Sequence, residues 1–351
     1  MKTESEMGQM AGLMASLVIA GALLAACSST PLIDNGKAGS IAVLEEVTLN
    51  GRKEWITIRG HDTTRPLLLF LAGGPGGSEL ATVRNTLSAL EEQFVVVVWD
   101  QPGAGKSYWS IRHADLLPET YVADANALVD LLCARFDRDK LFVLGESWGS
   151  ALGIMLARDH PERIAALFGT GQMVDFLETD RACYRLILDW SRQKGDTELV
   201  RKLELQGPPP YSGSGVAMKL AEFLMPTTRY MREVHGVRTS GDTWRDIFSA
   251  EYNLTDRVNW FRGLLDTLEF FYPKLWGMDL RKTAPRLTVP VYLLMGRFDV
   301  NANLPIVEDY FARLEAPSKE LVWFEHSGHT PWTSETGRFV ADLTRRSALH
   351  E

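Results

Sequence analysis

The segment Leu141-Phe142-Val143-Leu144-Gly145-Glu146-Ser147-Trp148-Gly149-Ser150-Ala151-Leu152-Gly153 admits few folds. Four apolar residues in a row suit a strand buried on both faces, as in a parallel sheet. Then comes Gly145-x-Ser147-x-Gly149, and small and apolar residues continue helically to Arg158. A strand, a tight turn and a helix leave the serine at the apex, its hydroxyl clear of the C-terminal edge of the sheet. A turn that sharp strains the serine's backbone, and side chains at the two glycine positions would collide with the adjacent strand and helix. Ser147 is therefore the candidate nucleophile, and the backbone N–H of Trp148 faces the place where an oxyanion would form. The motif is short, so the remaining chain has to supply a base, an acid and a second oxyanion donor.

The stretches before this segment carry the same rhythm. Ile41–Leu49 and Lys53–Ile58 alternate as two antiparallel strands, joined by Asn50-Gly51, a strong hairpin signal. Pro66–Leu71 is a buried strand ending in Ala72-Gly73-Gly74-Pro75-Gly76-Gly77-Ser78, whose glycines let backbone N–H groups approach a ligand. Gly73 or Gly74 is the candidate second oxyanion donor. A helix is expected over Glu79–Gln93, then a strand Phe94–Trp99, then the loop Asp100-Gln101-Pro102-Gly103-Ala104-Gly105-Lys106-Ser107. Its ending imitates a phosphate-binding loop, but the glycine required five residues before Gly105 is Asp100. The loop is expected to pack beside the nucleophile, and a helix over Tyr121–Phe136 leads back to the central strand.

Beyond Gly169 the strand–helix alternation stops. Residues 175–280 are rich in helix formers and aromatics, interrupted once by Gly207-Pro208-Pro209-Pro210-Tyr211-Ser212-Gly213. They predict a helical cap inserted over the site, its aromatics mostly forming the cap's own core. The alternation resumes with Val289–Met295, a strand ending Gly296-Arg297-Phe298-Asp299. Asp299 is the candidate acid, with an N-cap for the helix Leu304–Leu314 as its alternative role. A last strand, Leu321–Phe324, precedes Glu325-His326-Ser327-Gly328-His329. His329 is the candidate base and His326 its rival. A final helix is expected over Ser334–Ala348.

Gly-Gly-Pro-Gly-Gly after a strand, then Asp-Gln-x-Gly-x-Gly-x-Ser, then Gly-x-Ser-Trp-Gly-Ser resemble, in type and order, the proline iminopeptidase-like (peptidase family S33-like) branch of the α/β-hydrolases. The resemblance covers residues 41–172 and 285–345. It implies an α/β fold, a mostly parallel central sheet with flanking helices, and a core of residues 41–174 and 281–351 interrupted by the cap. It implies a triad in the order Ser147, Asp299, His329, acyl-enzyme chemistry without cofactor or metal, and release of N-terminal residues, often proline, from short peptides. The family's histidine before the two glycines is Ala72 here. Its cap glutamates bind the substrate's free amine; the candidates Glu222, Glu233, Glu251 and Glu269 carry no matching motif. An esterase or lipase-like activity on the same triad is the alternative, and a catalytically silent surface lipoprotein used for binding is an alternative of another class.

The N-terminus sets the expected location. Ala11–Ala26 is uncharged and almost wholly apolar, short for a membrane span and suited to a signal segment. It closes as Leu24-Ala25-Ala26-Cys27, which resembles a bacterial lipobox. The reading is a cleaved signal over residues 1–26, lipidation of Cys27, a tether over 27–40, and an exported protein anchored to the membrane, with Ser28 pointing to the outer one. A generic signal or uncleaved anchor is the alternative, since Glu4 and Glu6 accompany Lys2. The net charge of −8 over 351 residues, with no basic block, argues against a nucleic-acid partner. Cys27, Cys133 and Cys183 lack metal or redox spacing; Cys133 reads as a small buried residue, with a Cys133–Cys183 disulfide as the other option.

Overall fold

The computed structural model describes residues 28–33, 37–237 and 241–350. The expected signal segment and Cys27 lie outside these residues. Asn50 and Gly51 take φ of 48° and 81°, the two left-handed residues that a tight hairpin needs, and they join β1 (Ile41–Leu49) to β2 (Arg52–Gly60) with Leu49 opposite Arg52. The apolar runs become β3 (Leu67–Leu71), β4 (Val95–Asp100), β5 (Leu141–Glu146), β6 (Ile164–Thr170) and β7 (Val291–Gly296). Every residue of β3, β4, β5 and β7 is buried. β8 (Lys319–Phe324) is less apolar and forms one edge.

The eight strands form one sheet in the order β1-β2-β4-β3-β5-β6-β7-β8. β1 and β2 are antiparallel; from β4 to β8 all pairings are parallel. Parallel neighbours require crossovers, and these are α1 (Leu80–Leu87), α2 (Pro118–Phe136), α3 (Trp148–Asp159) and, after the insert, α11 (Leu304–Arg313), with α11 numbered in chain order. The order reverses at β3: the chain runs outward from β3 to β4 in one direction and to β5 in the other. In open α/β sheets the crevice at such a switch point, beyond the C-terminal strand ends, is where ligands bind. Two apolar layers cover the two faces, one centred on Trp99, Leu152 and Tyr121, the other on Phe70, Phe168 and Phe324.

Between β6 and β7 the chain makes α4 (Phe176–Lys194), α5 (Thr197–Gln206), α6 (Val216–His235), α7 (Thr243–Ile247), α8 (Leu254–Phe270), α9 (Tyr272–Leu275) and α10 (Leu280–Thr283). α8 starts with a reciprocal cap, Asn253 and Asp256 each accepting from the other's backbone N–H at 3.0 Å. It lies directly on the loop after β3: a Cβ at Gly76 would stand 2.5 Å from the Gly263 carbonyl oxygen and 2.6 Å from Thr267 Oγ1. The chain closes with α12 (Pro331–Ser334) and α13 (Thr336–Ser347).

The stretch expected to be a tether is docked over its first residues. Ser29 N–H donates to the Ala250 carbonyl at 3.0 Å, Thr30 Oγ1 donates to Glu251 at 2.9 Å, and Arg59 donates to Thr30 Oγ1 at 2.6 Å. The buried Arg59 of the Arg59–Glu91 pair also donates to the Pro31 carbonyl at 2.6 Å, and Glu251, paired with the half-buried Arg84, takes the Thr30 hydroxyl, so these charges complete their hydrogen bonding on the segment and hold it down. Cys133 and Cys183 are separate buried thiols. Among the described residues no helix is long and apolar enough to cross a membrane.

Candidate active site

Ser147 sits between β5 and α3 with φ 53° and ψ −119°, a conformation that costs a side-chain-bearing residue energy and persists only where the surroundings impose it. Two backbone bonds hold the apex: Ser147 N–H to the Thr170 carbonyl at 2.9 Å, and Ser150 N–H to the Ser147 carbonyl at 2.9 Å. Both glycines of the motif are required by close approach. A Cβ on Gly145 would overlap the Gly149 carbonyl oxygen, and one on Gly149 would overlap that of Leu71. Trp148, first residue of α3, buries its indole completely and donates Nε1–H to Gln101 Oε1 at 2.9 Å.

Gln101 also donates through Nε2 to the Ala72 carbonyl at 2.9 Å. One amide therefore ties the loop after β3 to the helix of the nucleophile. Its neighbour Asp100, fully buried, accepts from Ser78 Oγ at 2.6 Å and from Lys106 N–H at 2.7 Å; burial drives its carboxyl up to about 7. The loop thus packs beside the nucleophile, and the Lys106 ammonium is bonded to Asp256 at 2.6 Å and Ser28 Oγ at 2.7 Å.

On the other side, β7 and β8 deliver the acid and the base. Asp299 is buried, and its Oδ1 accepts from the N–H groups of Asn301 and Ala302 at 2.8 and 3.1 Å. The N-cap of α11 is Asn303, so Asp299 does not play that part. His329 Nδ1 lies 3.0 and 2.9 Å from the two Asp299 oxygens, and the ring packs against Gly171, where a Cβ would stand 2.8 Å from Cε1. A proton on Nδ1 directed at the carboxylate leaves Nε2 as the basic nitrogen. His326 is exposed on the loop and donates its backbone N–H to Glu335. Burial disfavours the imidazolium, but the Asp299 charge and hydrogen bond and the Glu146 charge outweigh it and raise His329 to about 9.

Glu146, the residue between Gly145 and Ser147, had no role assigned from sequence. It is buried, and its carboxylate lies against Gly73: a Cβ there would overlap Glu146 Oε2 and stand 3.0 Å from Ser147 Cβ. Burial raises its pKa, opposed by the His329 charge and assisted by that of Asp299. Glu79 lies within its field; burial and then Glu146 repulsion push Glu79 up to about 8. Two carboxyl groups therefore interact here, the buried Glu146 beside Ser147 and the half-buried Glu79 after the loop that follows β3. Nothing in a one-dimensional pattern marks them, because their proximity comes from the parallel pairing of β3 with β5.

The four cap glutamates are engaged elsewhere. Glu222 pairs with Lys202, Glu233 with Arg229 and Lys194, Glu251 with Arg84, and Glu269 accepts from the N–H groups of Gly215 and Ala217. Among the described residues no group of three or more His, Cys, Asp or Glu side chains could hold a metal ion.

Known proteins agree with this architecture. The family profile for the alpha/beta hydrolase fold matches residues 66–196. The "Probable aminopeptidase YbaC" of Bacillus subtilis (strain 168) is 28% identical over 89% of this chain and 98% of its own length. A "Probable proline iminopeptidase" of Leptolyngbya boryana is 34% identical over 32% of this chain and 33% of its own. Among solved structures, the proline iminopeptidase of Mycobacterium smegmatis superimposes with a TM-score of 0.62 at 17% identity, covering 88% of this chain and 98% of that one, which speaks for the fold. The chain has the α/β-hydrolase fold and is similar to proteins named as a probable aminopeptidase and a probable proline iminopeptidase.

Proposed function

We propose that this protein is a serine hydrolase that releases N-terminal residues from short peptides through an acyl-enzyme. The observation that carries the reading is Ser147 held at a strained apex with its N–H bonded to the Thr170 carbonyl, while the His329 ring, its Nδ1 fixed by both Asp299 oxygens, packs against the next residue, Gly171. Ser147 Oγ attacks the substrate carbonyl carbon while His329 Nε2 takes the hydroxyl proton. The same proton passes to the leaving amine, and water then attacks the ester with His329 again as base. Asp299 stabilises the imidazolium and sets its orientation. The oxyanion falls to the N–H groups of Trp148 and of Gly73 or Gly74.

Recognition of a free amine is assigned to Glu146 and Glu79. An ammonium group between them would offset the desolvation and mutual repulsion that raise both carboxyls. The engagement of all four cap glutamates favours a second reading, hydrolysis of small carboxylic esters on the same triad. Hydrolysis of a proline arylamide, its N-acetylated form and a short-chain aryl ester, with Ser147→Ala as control, separates the two. Cleavage of the free-amine arylamide alone, lost in Ser147→Ala, supports the exopeptidase; cleavage of the ester alone retains the triad and refutes the peptidase. Activity persisting in Ser147→Ala refutes the mechanism.

The apolar segment ending at Cys27 supports a second part of the proposal: the protein is exported and lipid-anchored through Cys27 at the bacterial cell envelope.

A further inference from the structure

α8 has two unlike faces. Asp256, Asn259, Gly263 and Thr267 are buried against the core loops. Leu254, Val258, Phe261 and Leu265, on the same helical spacing but turned the other way, face solvent. Trp244 of α7 and Phe248, which follows its last residue, extend this stripe: Trp244 lies 6.3 Å from both the Phe248 and the Phe261 ring centroids. All six side chains are between 43% and 70% exposed. Together they leave roughly 600 Å² of apolar surface in water, since large aromatic side chains carry about 150–250 Å² each. That reaches the upper range of the patches found on monomeric proteins, and such patches mark interaction surfaces.

The position of the patch identifies its occupant. Ser28, the first described residue and the one after Cys27, bonds through Oγ to the Lys106 ammonium, which bonds to Asp256 in the first turn of α8. Ser29 is bonded to Ala250, between α7 and α8. The chain therefore enters the fold beside the patch. Arg257, whose guanidinium lies 4.9 Å over the Phe248 ring, and the exposed Arg262 flank the stripe on a protein of net charge −8. Aromatic and aliphatic side chains flanked by arginine suit the headgroup boundary of a bilayer.

We propose that the α7–α8 face lies on the phospholipid surface in which Cys27 is anchored, with the six apolar side chains in the headgroup boundary. The inference rests on the lipid-anchor reading above. Because the opposite face of α8 covers the loop after β3, docking brings the active site to the membrane surface and favours substrates that gather there.

The test uses the full chain, produced with its signal segment and reconstituted in phosphatidylethanolamine–phosphatidylglycerol vesicles. Single cysteines introduced as Phe248→Cys, Leu254→Cys and, at the opposite end of the sheet, Leu349→Cys carry an environment-sensitive fluorophore; Cys133 and Cys183 are buried. The proposal predicts blue-shifted emission, quenched by spin-labelled lipid, at 248 and 254 and aqueous emission at 349. Aqueous emission at all three positions in vesicle-bound protein overturns the docking and spares the anchor. A concentration-dependent blue shift that spin-labelled lipid does not quench assigns the face to a second copy and also overturns it. Protein that neither floats with the vesicles nor carries acyl chains on Cys27 by mass overturns both readings.

Discussion

Glu146→Gln tests the electrostatics of the site most directly. Glutamine keeps the length and shape of the side chain that packs on Gly73, so the loop after β3 retains its support while the charge is lost. His329 is raised to about 9 despite its burial, by Asp299 and then by Glu146. Two unit charges about 8 Å apart interact by about 2 kcal/mol at an effective dielectric near 20. One pKa unit corresponds to about 1.4 kcal/mol. Burial works against the charged form of Glu146 and so weakens this interaction. The expected fall in the His329 pKa is therefore about one unit. The sign follows from the mechanism. The active imidazole is neutral, so kcat/KM rises with pH through the His329 pKa. In the wild type, activity on an uncharged aryl ester still climbs at pH 8. In Glu146→Gln the midpoint moves about one unit to lower pH, and the rate at pH 7 rises up to about tenfold. A substrate with a free amine responds in the opposite sense, with a raised KM. The assay is the pH profile of kcat/KM for both substrates. A midpoint that stays in place or moves to higher pH refutes the coupling of Glu146 to His329.

Gln101→Leu leaves the Ala72 carbonyl and the Trp148 indole N–H buried without their partner; unfolding by urea should show a loss of about 2–4 kcal/mol. Gly149→Ala forces a methyl group into the Leu71 carbonyl and should cost about 3 kcal/mol or prevent folding, whereas Gly337→Ala, with no atom within 4 Å, should leave the melting temperature within a degree or two. Burial and then Asp124 repulsion raise Glu54 to about 9, so the folded state binds its proton more tightly than the unfolded chain. Its contribution is present at acid pH and is lost as pH rises from the unfolded carboxylate value through about 9. Glu54→Gln, which can still accept the Trp99 indole N–H, should therefore unfold at higher denaturant than the wild type at pH 9, with the gap narrowing toward pH 5.

Much of the architecture could be read from the chain because its signals are local. Asn50-Gly51 fixed the hairpin register through two left-handed residues, and the apolar runs before Ala72, Asp100 and Ser147 formed strands buried on both faces. The helix expected over Glu79–Gln93 ends at Leu87 and continues as a tighter turn over Ser88–Glu92, a boundary that periodicity does not mark. Residues 28–33 looked unstructured from composition, yet they complete the hydrogen bonding of Arg59, Glu251 and Lys106.

The candidate triad was legible for a related reason: Ser147 and Asp299 follow buried strands and His329 follows the edge strand β8, and parallel strands deliver all three to the same edge. Sequence by itself thus determined the order of elements, the strained serine turn and the residue types at three strand ends. The tertiary structure alone decided which side chains meet. Gln101 bridges two loops because β4 lies beside β3; Glu146 packs on Gly73 because β5 lies on β3's other side; and the cap glutamates are lost to ion pairs or, for Glu269, to backbone N–H groups set by helix packing. Local signals act over a few residues and survive in one dimension, whereas contacts between distant segments arise only when the sheet closes.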